Sequence, residues 1–190
     1  MPADRSTARE RLLASADQLF YAEGVRTVGI DRVIEHAGVA KATLYKAFGS
    51  KDELIKAYLA RRLAARQQRM YAGLARYDNP RDKLLAVFDI QGEKFTDPDF
   101  RGCAFVNASA EAPPGGPVEE MSGQIRGWTR QLFRELAVEA GVPDPDALTC
   151  QLVLLYDGAS IGAQMDHDPA TTRAARAAAA TLVDAALGAI

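Results

Sequence analysis

Lys41, Thr43, Tyr45 and Lys46 fall within six consecutive residues, with the small Ala42 among them. Two ammonium groups attract a polyanion, a hydroxyl and a phenol position it by hydrogen bonds, and a small side chain admits close approach. That inventory suits a surface that grips phosphates and reaches base edges. The intervening residues are of the opposite kind. Val39, Leu44 and Phe48 are spaced to lie on the inner face of a short helix. Upstream, Ile30, Val33, Ile34 and Ala37 recur at i, i+3, i+4 and i+7, one face of another helix, and Gly38 ends it where the chain must turn left-handed. Two helices joined by a short glycine-containing turn, the second bearing cations, hydroxyls and an aromatic ring, describe a DNA-binding helix-turn-helix over about residues 29–48.

The elements around this motif are equally legible. A first helix is expected from about Thr7 to Glu23. Thr7-Ala8-Arg9-Glu10 is a capping-box pattern, in which a hydroxyl and a carboxylate each satisfy an orphan N–H. Leu12, Leu13, Ala16, Leu19 and Phe20 form its buried stripe, and Gly24 ends it. Thr27 is a candidate cap for the second helix. Ser50-Lys51-Asp52-Glu53 is a further capping-box pattern, opening a helix expected to reach about Tyr77, with Arg61, Arg62, Arg66 and Arg69 on its exposed side. Asn79-Pro80, Asp97-Pro98, Pro117, Asp144-Pro145 and Asp168-Pro169 mark later helix starts, where proline's missing N–H costs nothing. Helices are expected near 81–95, 102–111, 118–140, 145–164 and 169–188. In the third of these, Val118, Met121, Ile125, Trp128, Leu132 and Leu136 keep an inward spacing. Nothing reads as a sheet, so the fold class is all-α.

Composition narrows the functional classes. The chain has 190 residues, 48% hydrophobic and 25% charged, an ordinary globular balance. Its net charge of −2 conceals an asymmetry. Residues 1–80 carry 14 Lys and Arg against 9 Asp and Glu, whereas 81–190 carry 9 against 16. A basic first part and an acidic remainder suit one DNA-facing end and one DNA-averse end. Cys103 and Cys150 are too few for a disulfide framework, and no apolar run resembles a leader or membrane span, so a cytoplasmic location is expected. There is no glycine-rich phosphate loop, zinc spacing or nucleophile elbow, and the only histidines are His36 and His167. Asp166-His167-Asp168 has metal-capable side chains, but Asp168 is better explained as a helix cap. No catalytic residue, metal or cofactor is therefore expected. A small helical enzyme is the least favoured reading.

Thr27 through Phe48, followed by Gly49-Ser50-Lys51-Asp52-Glu53-Leu54, resembles the N-terminal domain of the tetracycline-repressor (TetR-type, AcrR-like) transcriptional regulators. In detail the resemblance covers roughly residues 7–60. It implies a three-helix DNA-binding domain over residues 1–48 and a helical ligand-binding and dimerisation domain over 49–190. It also implies backbone-phosphate contacts at Thr27, Tyr45 and Lys51, and base-edge or groove contacts at Lys41, Ala42, Thr43 and Lys46. Two positions depart from the family pattern. Ala40 stands where many members place a capping Ser or Thr, and Ala47 where many carry a phosphate-touching Tyr. Gly102-Cys103-Ala104-Phe105-Val106-Asn107 through Glu111 resembles a segment from one branch of the family.

The family layout places an effector cavity among the later helices, for which Phe88, Phe95, Phe105, Met121, Trp128 and Tyr156 are candidate lining residues, with Gln91, Asn107, Gln124 and Gln164 as polar anchors. Taken singly, each of those large residues reads first as core, because aromatic residues at helical spacing usually are. The last two helices, near 145–164 and 169–188, carry Leu148, Leu152, Leu155, Ala159 and Ala163 on one and a run of alanines on the other. Small residues permit close helix approach, and a palindromic operator requires a two-fold partner. A homodimer through these helices is expected, with a four-helix bundle implied by the resemblance. The reading that follows is a repressor of double-stranded DNA released by a small apolar or amphipathic effector. The alternative is control by a partner protein or by oxidation of Cys103.

Overall fold

The computed structural model describes residues 7–168 and 170–188. Among these residues there are nine helices and no strand. The expected division at residue 48 follows the motif, whereas the compact units follow packing. One unit runs to Ala64 and also includes Ala104–Gly123. The other comprises Ala65–Cys103 and Gln124 onward. Residues 1–6, Pro169 and the last two positions lie outside the described residues, so the Asp168-Pro169 helix start is seen only from its Asp168 side.

The first unit begins with α1, Ala8–Glu23, whose capping box forms as expected: Thr7 N–H donates to Glu10 Oε2 at 2.6 Å, and Glu10 N–H donates to Thr7 Oγ1 at 3.2 Å. Leu12, Ala16, Leu19 and Phe20 are buried, and Leu13 is half-buried. α2, Ile30–Ala37, is capped by Gly29 without any side-chain hydrogen bond. Thr27 is therefore not its cap; it stands exposed in the preceding turn. Gly38 adopts the left-handed conformation, φ 63°, and its N–H reaches Glu35 O at 3.1 Å, closing α2. α3, Lys41–Phe48, follows two residues later. Leu44 at its centre is fully buried, as are Val33 and Leu54.

α4, Lys51–Leu74, opens with Glu53 N–H donating to Ser50 Oγ at 3.1 Å. Its first half is fixed to α1. Phe20 and Tyr58 meet edge to face at 5.7 Å, and Arg62 forks onto the Asp17 carboxylate at 2.7 and 2.9 Å while lying 3.9 Å over the Tyr21 ring. Paired carboxylate and stacked ring together make a guanidinium a structural clamp. α6, Ala104–Glu111, belongs to this same unit. Its last residue, Glu111, accepts Arg26 N–H at 2.8 Å, in the turn between α1 and α2. Gly24, at φ 94°, lies so close to that carboxylate that a Cβ would overlap it. The conformation itself calls for glycine, and a Cβ there would also push the Glu111 carboxylate aside. The start of α7, Pro117–Glu139, is joined to α4 by Lys56 and Glu120 at 2.7 Å.

The second unit packs α5, Pro80–Gly92, with the later half of α7, α8, Pro145–Asp166, and α9, Ala170–Ala186. Asn79 caps α5 and Asp144 caps α8, each with a proline in the first turn, as the sequence predicts. Phe88, Phe133 and Tyr156 form a three-ring cluster with centroids 5.8–6.3 Å apart. Around it are Leu84, Val87, Leu132, Leu148 and Leu152, each contributing about 1.5–3 kcal/mol by burial. α9 presents Ala175, Ala179 and Val183 inward, and Arg81–Asp184 and Arg176–Asp89 join it to α5 at 2.5 and 2.8 Å.

Candidate nucleic-acid interface

The burial of Leu44 and Phe48 decides which side of α3 faces water. Lys41, Ala42 and Lys46 are exposed, and Tyr45 keeps 45% of its surface accessible. Thr43 is half-buried at the edge of the same face. The structure thus brings together on one short helix the cations, phenol and small residue that the sequence singled out. Thr27 lies exposed in the α1–α2 turn, and Lys51 is half-buried in the first turn of α4, where unpaired N–H groups favour an anion.

Electrostatics adjust two of these cations. Lys41 Nζ donates to Asp31 Oδ1 on α2 at 2.9 Å, and that bond, with the carboxylate's charge, raises its pKa. Partial burial lowers the pKa of Lys51, opposed by Asp52 and Glu111. Ala40 supplies no side-chain cap, so the start of α3 relies on Thr43 N–H donating to Ala40 O at 2.9 Å. Asp31 and Glu111 are functional neighbours that sequence reasoning missed. The Lys41–Asp31 pair joins residues ten apart across the inter-helix turn, and Glu111 arrives from 85 residues away.

The candidate effector residues are distributed over both compact units. Phe88 and Tyr156 meet in the aromatic cluster, Phe95 packs on Phe100 at 5.0 Å, and Trp128 meets Tyr71 at 6.3 Å and donates to its hydroxyl at 3.0 Å. Phe105 and Met121 belong to the first compact unit. Gln91 is buried and donates to Tyr156 O at 2.9 Å, leaving its own Oε1 unpartnered. An open groove of about 570 Å³ lined by Glu10, Arg11, Ser15, Gln18, His36 and Arg61 contains none of them.

Two further expectations need correction. The arginines of α4 are not one solvated row: Arg61 is exposed, whereas Arg62, Arg66 and Arg69 are all half-buried. On α8, Leu148, Leu152, Ala159 and Ala163 are buried in the protomer's own core. The apolar face turned outward is instead Leu154, Ile161 and Met165, the first and last of which are 72% and 74% exposed. Both stripes are apolar at helical spacing, so periodicity alone does not choose between them.

A short cation-bearing helix without a side-chain cap, packed on a preceding short helix through buried Leu44 and Val33 and joined to it by a left-handed glycine turn, defines a helix-turn-helix DNA reader. Comparison with known proteins agrees. Residues 12–58 match the model of bacterial regulatory proteins of the tetR family. A TetR-family transcriptional regulator from Streptomyces coelicolor is 35% identical and superimposes with a TM-score of 0.83, covering 96% of this chain and 95% of that one. The HTH-type transcriptional repressor NemR of Escherichia coli K12 is 34% identical over 105 residues, 54% of this chain. That match spans about half, 53%, of the repressor's own length. The crystal structure of the reduced form of E. coli NemR covers 90% of this chain and 94% of its own at 25% identity, with a TM-score of 0.80. The chain belongs to the TetR family of transcriptional regulators. Among the described residues no helix is long and apolar enough to cross a membrane.

Proposed function

We propose that this regulator is a cytoplasmic homodimeric repressor that binds a palindromic operator and is released by a small organic effector. The reading rests on α3, whose exposed face carries Lys41, Ala42, Tyr45 and Lys46 over a buried Leu44. In this scheme Tyr45, Lys51 and Thr27 engage phosphates, while Lys41, Ala42, Thr43 and Lys46 reach into the groove. The outward stripe Leu154, Ile161 and Met165 on α8, beside exposed Ala174, Ala177 and Ala178 on α9, supports the two-fold partner. Apolar surface of that extent flanked by small residues favours close helix pairing. Two reading helices entering successive major grooves must lie ~34 Å apart. A ligand that prefers a different separation by a few kcal/mol would empty the operator. α4 is continuous from the reader into the second unit, so it offers a direct covalent route.

The test is selection of genomic fragments by the purified protein at physiological salt. One palindromic motif is the expected outcome, and recovery of nothing above background would refute the reading. A second reading, control by thiol oxidation, draws support from Cys103, half-buried with Arg66 Nη2 3.6 Å from its Sγ. A cation at that distance would hold a thiolate in place. Under that reading, peroxide releases the operator from the native protein and not from Cys103→Ser.

A further inference from the structure

Several arginines in this structure are matched to carboxylates. Arg62, Arg81, Arg126 and Arg176 each hold a carboxylate between 2.5 and 2.8 Å. Arg69 departs from this pattern. It is half-buried on α4, its Nε is shielded from solvent, and that N–H meets no acceptor. No hydrogen bond or ion pair is made by its guanidinium among the described residues. Three positions earlier on the same helix face stands Arg66, also half-buried, its Nη2 against Cys103 Sγ at 3.6 Å. Desolvation and the like charge of Arg66 both act against the cationic form of Arg69, and only the fields of Tyr156 and Glu93 favour it. Glu93 is itself engaged by Arg76 at 3.5 Å. Beside them, Tyr156 is 5% exposed, and the charges of Arg66 and Arg69 act on its hydroxyl.

Placing the Arg69 guanidinium in a partly desolvated interior with its Nε–H unpaired, beside a second cation, is unfavourable unless an anion joins it. A guanidinium stays charged at any physiological pH, so the site cannot relieve itself by losing a proton. An oxyanion does relieve it, because the Nε and Nη donors of an arginine form a fork that two oxygens of one anionic group can accept together. The buried Tyr156 ring, which itself packs on Phe88 and Phe133, gives the surroundings an apolar side. We infer that Arg69, assisted by Arg66, is the receptor for the oxyanion head of a small aromatic or amphipathic organic acid, which is the chemical class of the effector. The inference rests on the proposed ligand-released repressor. It narrows an apolar or amphipathic effector to one carrying a negative charge.

The test uses full-length protein and 8-anilinonaphthalene-1-sulfonate, an aromatic anion that fluoresces in apolar sites, with N-phenyl-1-naphthylamine as the uncharged ring control. The native protein should bind the anion saturably at one site per protomer. Arg69→Gln should weaken that binding at least tenfold, Arg69→Lys, which keeps the charge without the fork, should weaken it less than Arg69→Gln, and the neutral compound should bind native protein and Arg69→Gln alike. Equal affinity of the anion for native protein and Arg69→Gln, or no saturable site in the native protein, would overturn the inference. DNA-fragment selection with the same preparations keeps the two readings apart. Arg69→Gln should still select the native motif, which also shows that it is folded. Loss of probe binding with the motif retained supports the anion site, whereas failure of the native protein to select any motif removes the repressor reading on separate grounds.

Discussion

Lys41 is shared between two partners. Without DNA its ammonium group donates to Asp31, both side chains being exposed. Exposed ion pairs contribute little to stability, so the effect of the pair is to be sought in binding. A lysine approaching phosphate must loosen its hold on the carboxylate, and Asp31 itself repels the DNA backbone. Asp31→Asn is therefore expected to tighten operator binding several-fold, most clearly at low salt, with thermal stability unchanged. Fluorescence anisotropy across a salt series checks this, and weaker binding would contradict it. Tyr45→Ala and Lys51→Ala should weaken binding to all sequences, and Lys51→Ala should lower the salt slope by about one. Thr43→Ala should mainly blur sequence preference. An equal loss on random DNA would remove Thr43 from base reading.

At the scale of the elements, the helix boundaries show what a sequence can disclose. Local chemistry was readable: Thr7 and Glu10 form their reciprocal cap, Gly38 turns left-handed, and Asn79 and Asp144 cap helices that begin with proline. These features depend on neighbours within a few residues. Thr27 illustrates the limit, since its hydroxyl has the right chemistry for a cap but the helix starts one residue after Gly29 instead. Periodicity does not place Arg62, Arg66 and Arg69, because a long side chain can lie along a helix surface; Arg62 carries its head to Asp17 and Arg66 to Cys103. The inner and outer stripes of α8 are both apolar, so spacing alone does not say which faces the core. Two changes test the element scale. Ala40→Ser places an acceptor at an extended N-cap and should stabilise α3 by about 1 kcal/mol, measured by urea denaturation. Gly24→Ala forces a strained backbone and displaces Glu111, costing roughly 1–3 kcal/mol for the conformation alone. Its melting temperature should fall, and restoring space with Glu111→Ala should recover only the steric part.

For the whole molecule, the decisive quantity is how two readers are held together. Leu154→Glu or Met165→Glu places a charge on a face that is exposed in the protomer and contributes nothing to its core. Each variant should remain folded yet sediment as a monomer. Losing the second reader removes the advantage of a tethered second contact, and operator affinity should drop on the order of 10²-fold. A variant that stayed dimeric would move the interface elsewhere.

The placement of α6 has a consequence for anyone exchanging parts between regulators. Glu111 holds the turn between α1 and α2, and residues 104–123 pack as part of the DNA-reading unit although they are far away in the chain. The reader is therefore not a cassette that can be cut out at one point. A chimera joined only within α4 would pair this Gly24 and Arg26 with a foreign residue in place of Glu111. Transplanting the specificity of this protein requires two grafts, one ending near Ala64 and another carrying Ala104–Gly123.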